Sequence, residues 1–285
     1  MAHNPSSTIV VENPWERLNA FTDARIGLGR AGVSLPTSKL LAFQLAHAQA
    51  QDAVHCPLDV EALSTELTQA LNLSKVPLCL HSHAQDRAMY LQRPDYGRRL
   101  NDDSREHLRE HLKQATASQQ RFDLAVVVVD GLSALAVQQN SAPFLRALYQ
   151  QLCGDAADWQ LAPLTIVEQG RVAIGDEIGA LLNADAVLVM IGERPGLSSP
   201  DSLGLYMTWA PEPGLRDDRR NCISNVRPAG LQVEEAARRF FLLLKEARQL
   251  KLSGVKLKDR SEDDVLEGDS ASGAPSSTRN FLVAD

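Results

Sequence analysis

Apolar residues change their spacing part-way along the chain. In the first third they recur three or four positions apart over 37–53 and 59–71, which predicts two amphipathic helices. Asn13 followed by Pro14 is typical of a helix start and predicts another helix over 14–28. We therefore expect the N-terminal part of the chain to be mainly helical.

Beyond this part, continuous apolar runs predict strands that are covered on both faces, at 124–129, 164–167 and 186–191. Segments with helical spacing lie between and after them, at 141–152, 176–182 and 233–252. Strands that alternate with helices favour an α/β fold with a Rossmann-like, doubly wound sheet.

These patterns divide the chain into four parts. We expect a flexible N-terminus over 1–12, a helical N-terminal region over 13–100, a Rossmann-like domain over 101–258 and a disordered acidic tail over 259–285. The tail is poor in large apolar groups, so it has little to bury in a core. It also carries most of the net charge of −7.

Composition then excludes several classes of protein. With its tail set aside the chain is nearly neutral, which argues against general attraction to nucleic acid. The apolar runs are far shorter than the roughly 20 residues of a membrane span, and no secretory signal pattern is visible. Four cysteines form no C-x-x-C pair and fit a reducing cytosol: Cys56, Cys79, Cys153 and Cys222.

A glycine-rich segment, Gly27-Leu-Gly-Arg-Ala-Gly32, matches the dinucleotide fingerprint G-x-G-x-x-G. That fingerprint binds a pyrophosphate only where a strand ends and a helix begins. A helix is predicted ahead of it here, so a loop after a glycine-terminated helix is favoured. Nucleotide binding is the weaker alternative.

Two further patterns resemble catalytic or metal sites. Asp130-Gly-Leu-Ser133 follows a strand as a nucleophile elbow does, but all seven histidines precede Ser133, against the usual hydrolase order. Asp130 and Ser133 are therefore expected to cap a helix or to shape a ligand-facing loop. His107 and His111 lie one helical turn apart, and a solvated helix face is favoured over a metal pair.

The most informative segment is Gly192-Glu-Arg-Pro-Gly196, at which an apolar strand stops abruptly. Ligands of open α/β sheets bind at the carboxyl ends of strands, and glycine lets a bulky ligand approach the backbone. A plain surface turn is the alternative. The loops that contain Gly170-Arg-Val172 and 219–225 are expected to converge on the same rim.

Six segments lie in this order along the chain: Thr22-Asp-Ala-Arg-Ile-Gly-Leu-Gly-Arg-Ala-Gly32, Leu91-Gln-Arg-Pro-Asp-Tyr-Gly-Arg-Arg-Leu100, Asp130-Gly-Leu-Ser133, Gly170-Arg-Val172, Gly192-Glu-Arg-Pro-Gly-Leu197 and Cys222-Ile-Ser-Asn225. Taken together, they resemble the small subunit of ethanolamine ammonia-lyase over about residues 13–257.

The resemblance implies a hetero-oligomer, typically of six small and six large subunits, that uses adenosylcobalamin. By a radical mechanism such an enzyme converts ethanolamine to acetaldehyde and ammonia. The large subunit would bind ethanolamine, and this chain would help to hold the cofactor. A cytoplasmic location is favoured over a bacterial microcompartment, because the segment ahead of Pro14 makes a poor packaging helix.

Matched motif by motif, the family's cobalamin contacts fall on Val172, Glu193 and Cys222, with no catalytic or metal-binding residue in this chain. Base-on binding is implied, and the chain has no Asp-x-His-x-x-Gly pattern. A structural role for Cys222 stays open. So do two other functions: a non-catalytic corrinoid-binding or scaffold protein without a lyase partner, and a nucleotide-dependent oxidoreductase.

Overall fold

The computed structural model describes residues 13–114 and 121–258. The predictions of a flexible segment over 1–12 and of a disordered tail over 259–285 concern residues outside these ranges.

One six-stranded sheet forms the centre of the molecule, in the order β1-β3-β2-β4-β5-β6. The first four strands in that order are parallel, and β5 runs antiparallel to both β4 and β6. The strands are β1 (Leu78–His81), β2 (Phe122–Val129), β3 (Thr165–Glu168), β4 (Ala184–Gly192), β5 (Leu203–Trp209) and β6 (Arg220–Val226).

Helices cover both faces of the sheet. They are α1 (Thr37–His55), α2 (Val60–Ala70), α3 (Arg87–Gln92), α4 (Asp102–Gln114), α5 (Ala134–Gly154), α6 (Ile174–Leu181) and α7 (Val233–Leu250). One core packs α2, α5 and α7 on one face, and a second core packs α4 and α6 on the other. Among the described helices, none is long and apolar enough to cross a bilayer.

The α/β class is confirmed, but the sheet is mixed, so the Rossmann-like doubly wound arrangement stays a prediction. β5 and β6, which sequence reasoning did not predict, follow β4 as an antiparallel meander. Their short connections carry no crossover helix, and consecutive strands joined in this way run antiparallel. β1 lies within the predicted helical region over 13–100 and pairs with β3.

The predicted helix over 14–28 is wrong beyond its first turns. Asn13 caps it as expected, and its side chain accepts a hydrogen bond from the backbone N–H of Trp15 at 3.2 Å. The segment is a 3-10 helix, Pro14–Ala20, and a loop follows in which Gly27 and Gly29 have positive φ. A left-handed backbone cannot continue a helix, so a helix could not extend through Gly27 to residue 28. The 3-10 helix itself ends earlier, with Phe21 as its C-cap.

Helix α5 begins well before the predicted start at residue 141. Ser133 caps it and accepts a hydrogen bond from the Ala136 backbone N–H at 3.2 Å, which confirms one of the roles expected for this serine. Pro143 lies inside the helix, although proline is typical of a first turn.

Candidate functional site

Glu193 comes directly after β4, at the carboxyl edge of the sheet. Its backbone N–H donates to the Ser202 carbonyl at 2.9 Å, and one oxygen of its carboxylate accepts from the Ser202 hydroxyl and from the Asn225 backbone N–H at 3.2 Å. The carboxylate therefore has a fixed position.

A bulge and a glycine create the space for this carboxylate. The register of β5 and β6 shifts between Leu203 and Leu205, and Asn225 adopts φ of 60° in the extra length of β6. A Cβ at Gly204 would lie 3.0 Å from Glu193 Oε1 and 3.2 Å from a ring carbon of Tyr206. A side chain at this position would crowd both groups, and glycine leaves Glu193 room beside the ring.

Tyr206 joins Glu193 to Cys222. Tyr206 and Cys222 are register partners on β5 and β6, and their side chains interact: the contact raises the pKa of Tyr206 and, against the larger effect of burial, lowers that of Cys222. Partial burial raises the pKa of the Cys222 thiol, and the nearby Glu193 carboxylate raises it further. Burial likewise raises the pKa of Tyr206. Both groups are therefore neutral at physiological pH, and Cys222 is not a thiolate nucleophile.

Val172 lies in the loop between β3 and α6 and is half-buried. It packs against the same core as Tyr206, so both lie on one side of the sheet. The predicted residues Val172, Glu193 and Cys222 thus share that side, with Tyr206 among them. Their role in binding a cofactor stays a prediction.

The loop that carries Val172 is held by a buried carboxylate. Asp130 at the end of β2 accepts hydrogen bonds from the backbone N–H groups of Gly131, Gln169 and Gly170 at 2.7, 2.9 and 3.2 Å. Burial raises the pKa of Asp130 to about 6, against the lowering effect of these bonds and of Arg87. Asp130 therefore positions the loop from inside the fold.

Two arginines stack on the fully buried ring of Tyr90. The guanidinium carbons of Arg87 and Arg171 lie 4.7 and 4.1 Å from the ring centroid. Arg171 also donates to the Tyr90 carbonyl at 3.2 Å, and Arg87 donates to the Val54 carbonyl at 2.7 Å. Arg171, the residue before Val172, is thereby held in place, and Arg87 ties the end of α1 to the sheet.

Sequence reasoning did not single out Tyr206. The signal was available, because Leu205 and Met207 face one core whereas Tyr206 faces the other, which is the alternation of a strand. Its hydroxyl group lies on the side of the strand that faces the site.

The other candidate motifs do not join this site. Residues 27–32 form a loop that follows a 3-10 helix and not a strand, which does not fit a dinucleotide fingerprint. His107 is exposed on α4 as expected, whereas His111 on the same helix is partly buried. Among the described residues, no group of three His, Cys, Asp or Glu side chains is placed to hold a metal ion.

Comparison with known proteins identifies the same family that the sequence motifs resemble. Residues 12–258 match the family model described as ethanolamine ammonia-lyase light chain (EutC). The chain is 54% identical over 282 residues to the "Ethanolamine ammonia-lyase small subunit" of Pseudomonas aeruginosa (strain UCBPP-PA14), covering 99% of this chain and 98% of that protein.

Two further relatives carry the same name. The protein of Pseudomonas syringae pv. tomato (strain ATCC BAA-871 / DC3000) is 53% identical over 95% of this chain and 92% of its own length. That of Pseudomonas putida (strain W619) is 52% identical over 96% and 97%.

A nearly full-length match to lyase subunits defines the class: an α/β lyase subunit. The chain belongs to the ethanolamine ammonia-lyase light-chain family, which confirms the resemblance drawn from the sequence.

Proposed function

We propose that this chain is the cytoplasmic small subunit of an adenosylcobalamin-dependent ethanolamine ammonia-lyase. In this proposal it forms one wall of the cofactor site, and a large subunit forms the other and binds ethanolamine. The complex has the family's arrangement of six small and six large subunits. The observation that carries the proposal is the shared side of the sheet on which Val172, Glu193, Tyr206 and Cys222 lie.

The residues on this side fit a corrinoid, which is a broad apolar ring with amides around its edge. Val172 and the ring of Tyr206 offer apolar surface, as a flat ligand requires. The Ser202 hydroxyl and the Asn225 N–H share one oxygen of Glu193, so Oε1 is left to accept hydrogen bonds from peripheral amides. Cys222 adds a small neutral side chain.

When bound, adenosylcobalamin supplies the radical chemistry that turns ethanolamine into acetaldehyde and ammonia. The residues of this chain bind and orient the cofactor. Neither Tyr206 nor Cys222 is poised to transfer a proton near neutral pH, because burial raises the pKa of both groups. The chain therefore acts as a wall of the site and not as an acid or base.

The exposed apolar residues of α1 support the proposal of a partner subunit. Leu41 and Leu45 are 59% and 61% exposed, and Phe43 and Leu40 are also exposed. Ala53 is the buried residue of this helix. A row of large apolar groups on one helix is unfavourable in water and is typical of an interface.

Reconstitution tests the proposal. The purified chain, adenosylcobalamin and ethanolamine are mixed in the dark with and without the large subunit, and acetaldehyde is measured. We expect neither turnover nor tight cofactor retention without the large subunit, and both with it.

Two outcomes would contradict this division of roles. Turnover by the chain alone would place the chemistry in this subunit. Failure of turnover with a large subunit that is active with another small subunit would leave the chain as a scaffold or a corrinoid-binding protein without lyase function.

A further inference from the structure

A basic cleft adjoins Val172. Its volume is about 770 Å³, and it lies between the segment 94–99, the loop that carries Val172 and the loop 213–217. Five arginines line it: Arg98, Arg99, Arg105, Arg171 and Arg216. The acidic groups in its wall are Glu177 and Asp217.

Both acidic groups already accept hydrogen bonds from arginines. Glu177 accepts hydrogen bonds from Arg105 at 2.7 Å and from the Leu100 backbone N–H at 2.9 Å. Asp217 accepts one from Arg220 at 2.8 Å. Arg220 also pairs with the buried Asp176, so Asp217 is only partly neutralised. Five arginines against two carboxylates nevertheless leave the cleft with an excess of positive charge.

The arginines differ in how firmly they are held. Arg171 stacks on Tyr90, and a Cβ at Gly97 would lie only 2.8 Å from its Cγ, so it has a fixed position. Arg98, Arg99 and Arg216 are exposed and make no salt bridge with another residue of the described ranges. One fixed guanidinium group with exposed guanidinium groups around it can bind an anion, because guanidinium groups bind phosphate oxygens in pairs.

We propose that this cleft binds the phosphodiester of the cofactor's nucleotide loop. The inference rests on the proposed function, because it assumes a corrinoid against Val172. The peripheral amides of cobalamin are neutral, and the phosphodiester is its anionic group. The cleft begins at Val172 and has an excess of cationic side chains, so it fits an anionic group better than it fits the neutral amides.

The test compares two corrinoids. Cyanocobalamin carries the nucleotide loop, and cobinamide is the same corrin without the phosphodiester, ribose and base. The double variant Arg99→Gln and Arg216→Gln is purified with the large subunit. Its affinity for each corrinoid is measured by equilibrium dialysis and visible absorbance. Arg146→Gln is the matched control, because Arg146 is exposed on α5 at the opposite face of the sheet.

We expect the double variant to bind cyanocobalamin at least about tenfold more weakly, since charge-assisted hydrogen bonds are lost. Cobinamide binding stays unchanged, and so do both affinities in Arg146→Gln. Added salt weakens cyanocobalamin binding more in the wild-type complex than in the double variant, because the arginine contribution is screened.

The outcomes separate this inference from the proposed function. If the wild-type complex binds neither corrinoid, the proposed function fails. If it binds cyanocobalamin and the double variant binds it equally well, or if the double variant weakens both corrinoids equally, the cleft does not bind the phosphodiester. If the double variant loses the large subunit on gel filtration, the cleft is a protein interface, and this result would also overturn the inference.

Discussion

The backbone N–H of Asn225 donates to the carboxylate of Glu193 at 3.2 Å, although the two residues lie 32 positions apart. Asn225 reaches it from a bulge in β6, in a left-handed conformation that asparagine tolerates better than most residues. The irregular register of β6 thus holds the carboxylate of the candidate site.

Replacement of Glu193 by alanine tests this carboxylate. We expect Glu193→Ala to weaken cobalamin retention by about tenfold, because amide hydrogen bonds to a charged acceptor are lost. The fold changes little, since Glu193 lies on the rim and its removal opens no core cavity. Visible absorbance after gel filtration measures retention, and a thermal melt measures the fold.

Glu66→Ala is the control for Glu193→Ala, because Glu66 is an exposed carboxylate on α2, which packs on the opposite face of the sheet. Equal retention by both variants would remove Glu193 from the site.

The raised pKa of Asp130 predicts that the stability of the fold depends on pH. Its folded-state pKa is about 6, above the ordinary 3.8, so the folded state binds the proton more tightly than the unfolded state does. The stabilising contribution is complete below about pH 4 and is lost as the pH rises through 6. We therefore expect this carboxyl to favour folding more at pH 5 than at pH 7.

Urea unfolding of the wild type and of Asp130→Asn across this range measures the effect. The asparagine cannot accept the hydrogen bonds of Gly131, Gly170 and Gln169 together, so we expect a loss of about 1–3 kcal/mol. The difference in unfolding free energy between the two proteins should shrink as the pH rises. A difference that grows would reverse the assigned direction of the pKa.

Arg220 and Asp176 form a buried ion pair that joins β6 to α6. Arg220→Ala leaves the Asp176 carboxylate buried without its partner, so we expect a loss of roughly 3–5 kcal/mol in unfolding free energy. Arg219→Ala is the matched control, because Arg219 is the neighbouring residue and its side chain is exposed. This variant should change stability by less than about 0.5 kcal/mol. Similar stability of the two variants would mean that the pair does not hold β6.

The exposed leucines of α1 predict how the subunits associate. We expect Leu41→Asp combined with Leu45→Asp to abolish capture of the large subunit, because each buried leucine contributes about 2 kcal/mol to an interface. The stability of this chain should not change, since both side chains are already exposed. Gln44→Asp combined with Gln49→Asp adds the same two charges at exposed polar positions on the same helix, and it should leave capture intact. Full capture by the double variant would place the interface elsewhere.

The parts of the fold that were predicted correctly have continuous apolar runs. β2 and β4 are covered on both faces, so their burial is visible in the sequence. β6 is an edge strand with many exposed positions, and β5 contains Gly204, so neither shows such a run. Their existence depends on pairing with β4, which is a tertiary effect.

The residues of the candidate site also differ in how far the sequence predicts them. Glu193 could be found from physical reasoning, because it follows an apolar strand at the carboxyl edge, where ligands bind. Val172 and Cys222 came from family resemblance alone. Asp130 contacts Gln169 and Gly170, which lie about 40 positions away in the sequence. No local sequence pattern predicts such a long-range contact.

The apolar surface of α1 also has a consequence for how much of this chain a cell can tolerate. Molecules made in excess of the partner display adjacent large apolar side chains to water and to one another, which favours aggregation and proteolysis. Matched synthesis of the two subunits avoids that surplus. An overproduced small subunit should accumulate as inclusion bodies or be degraded until its partner is supplied.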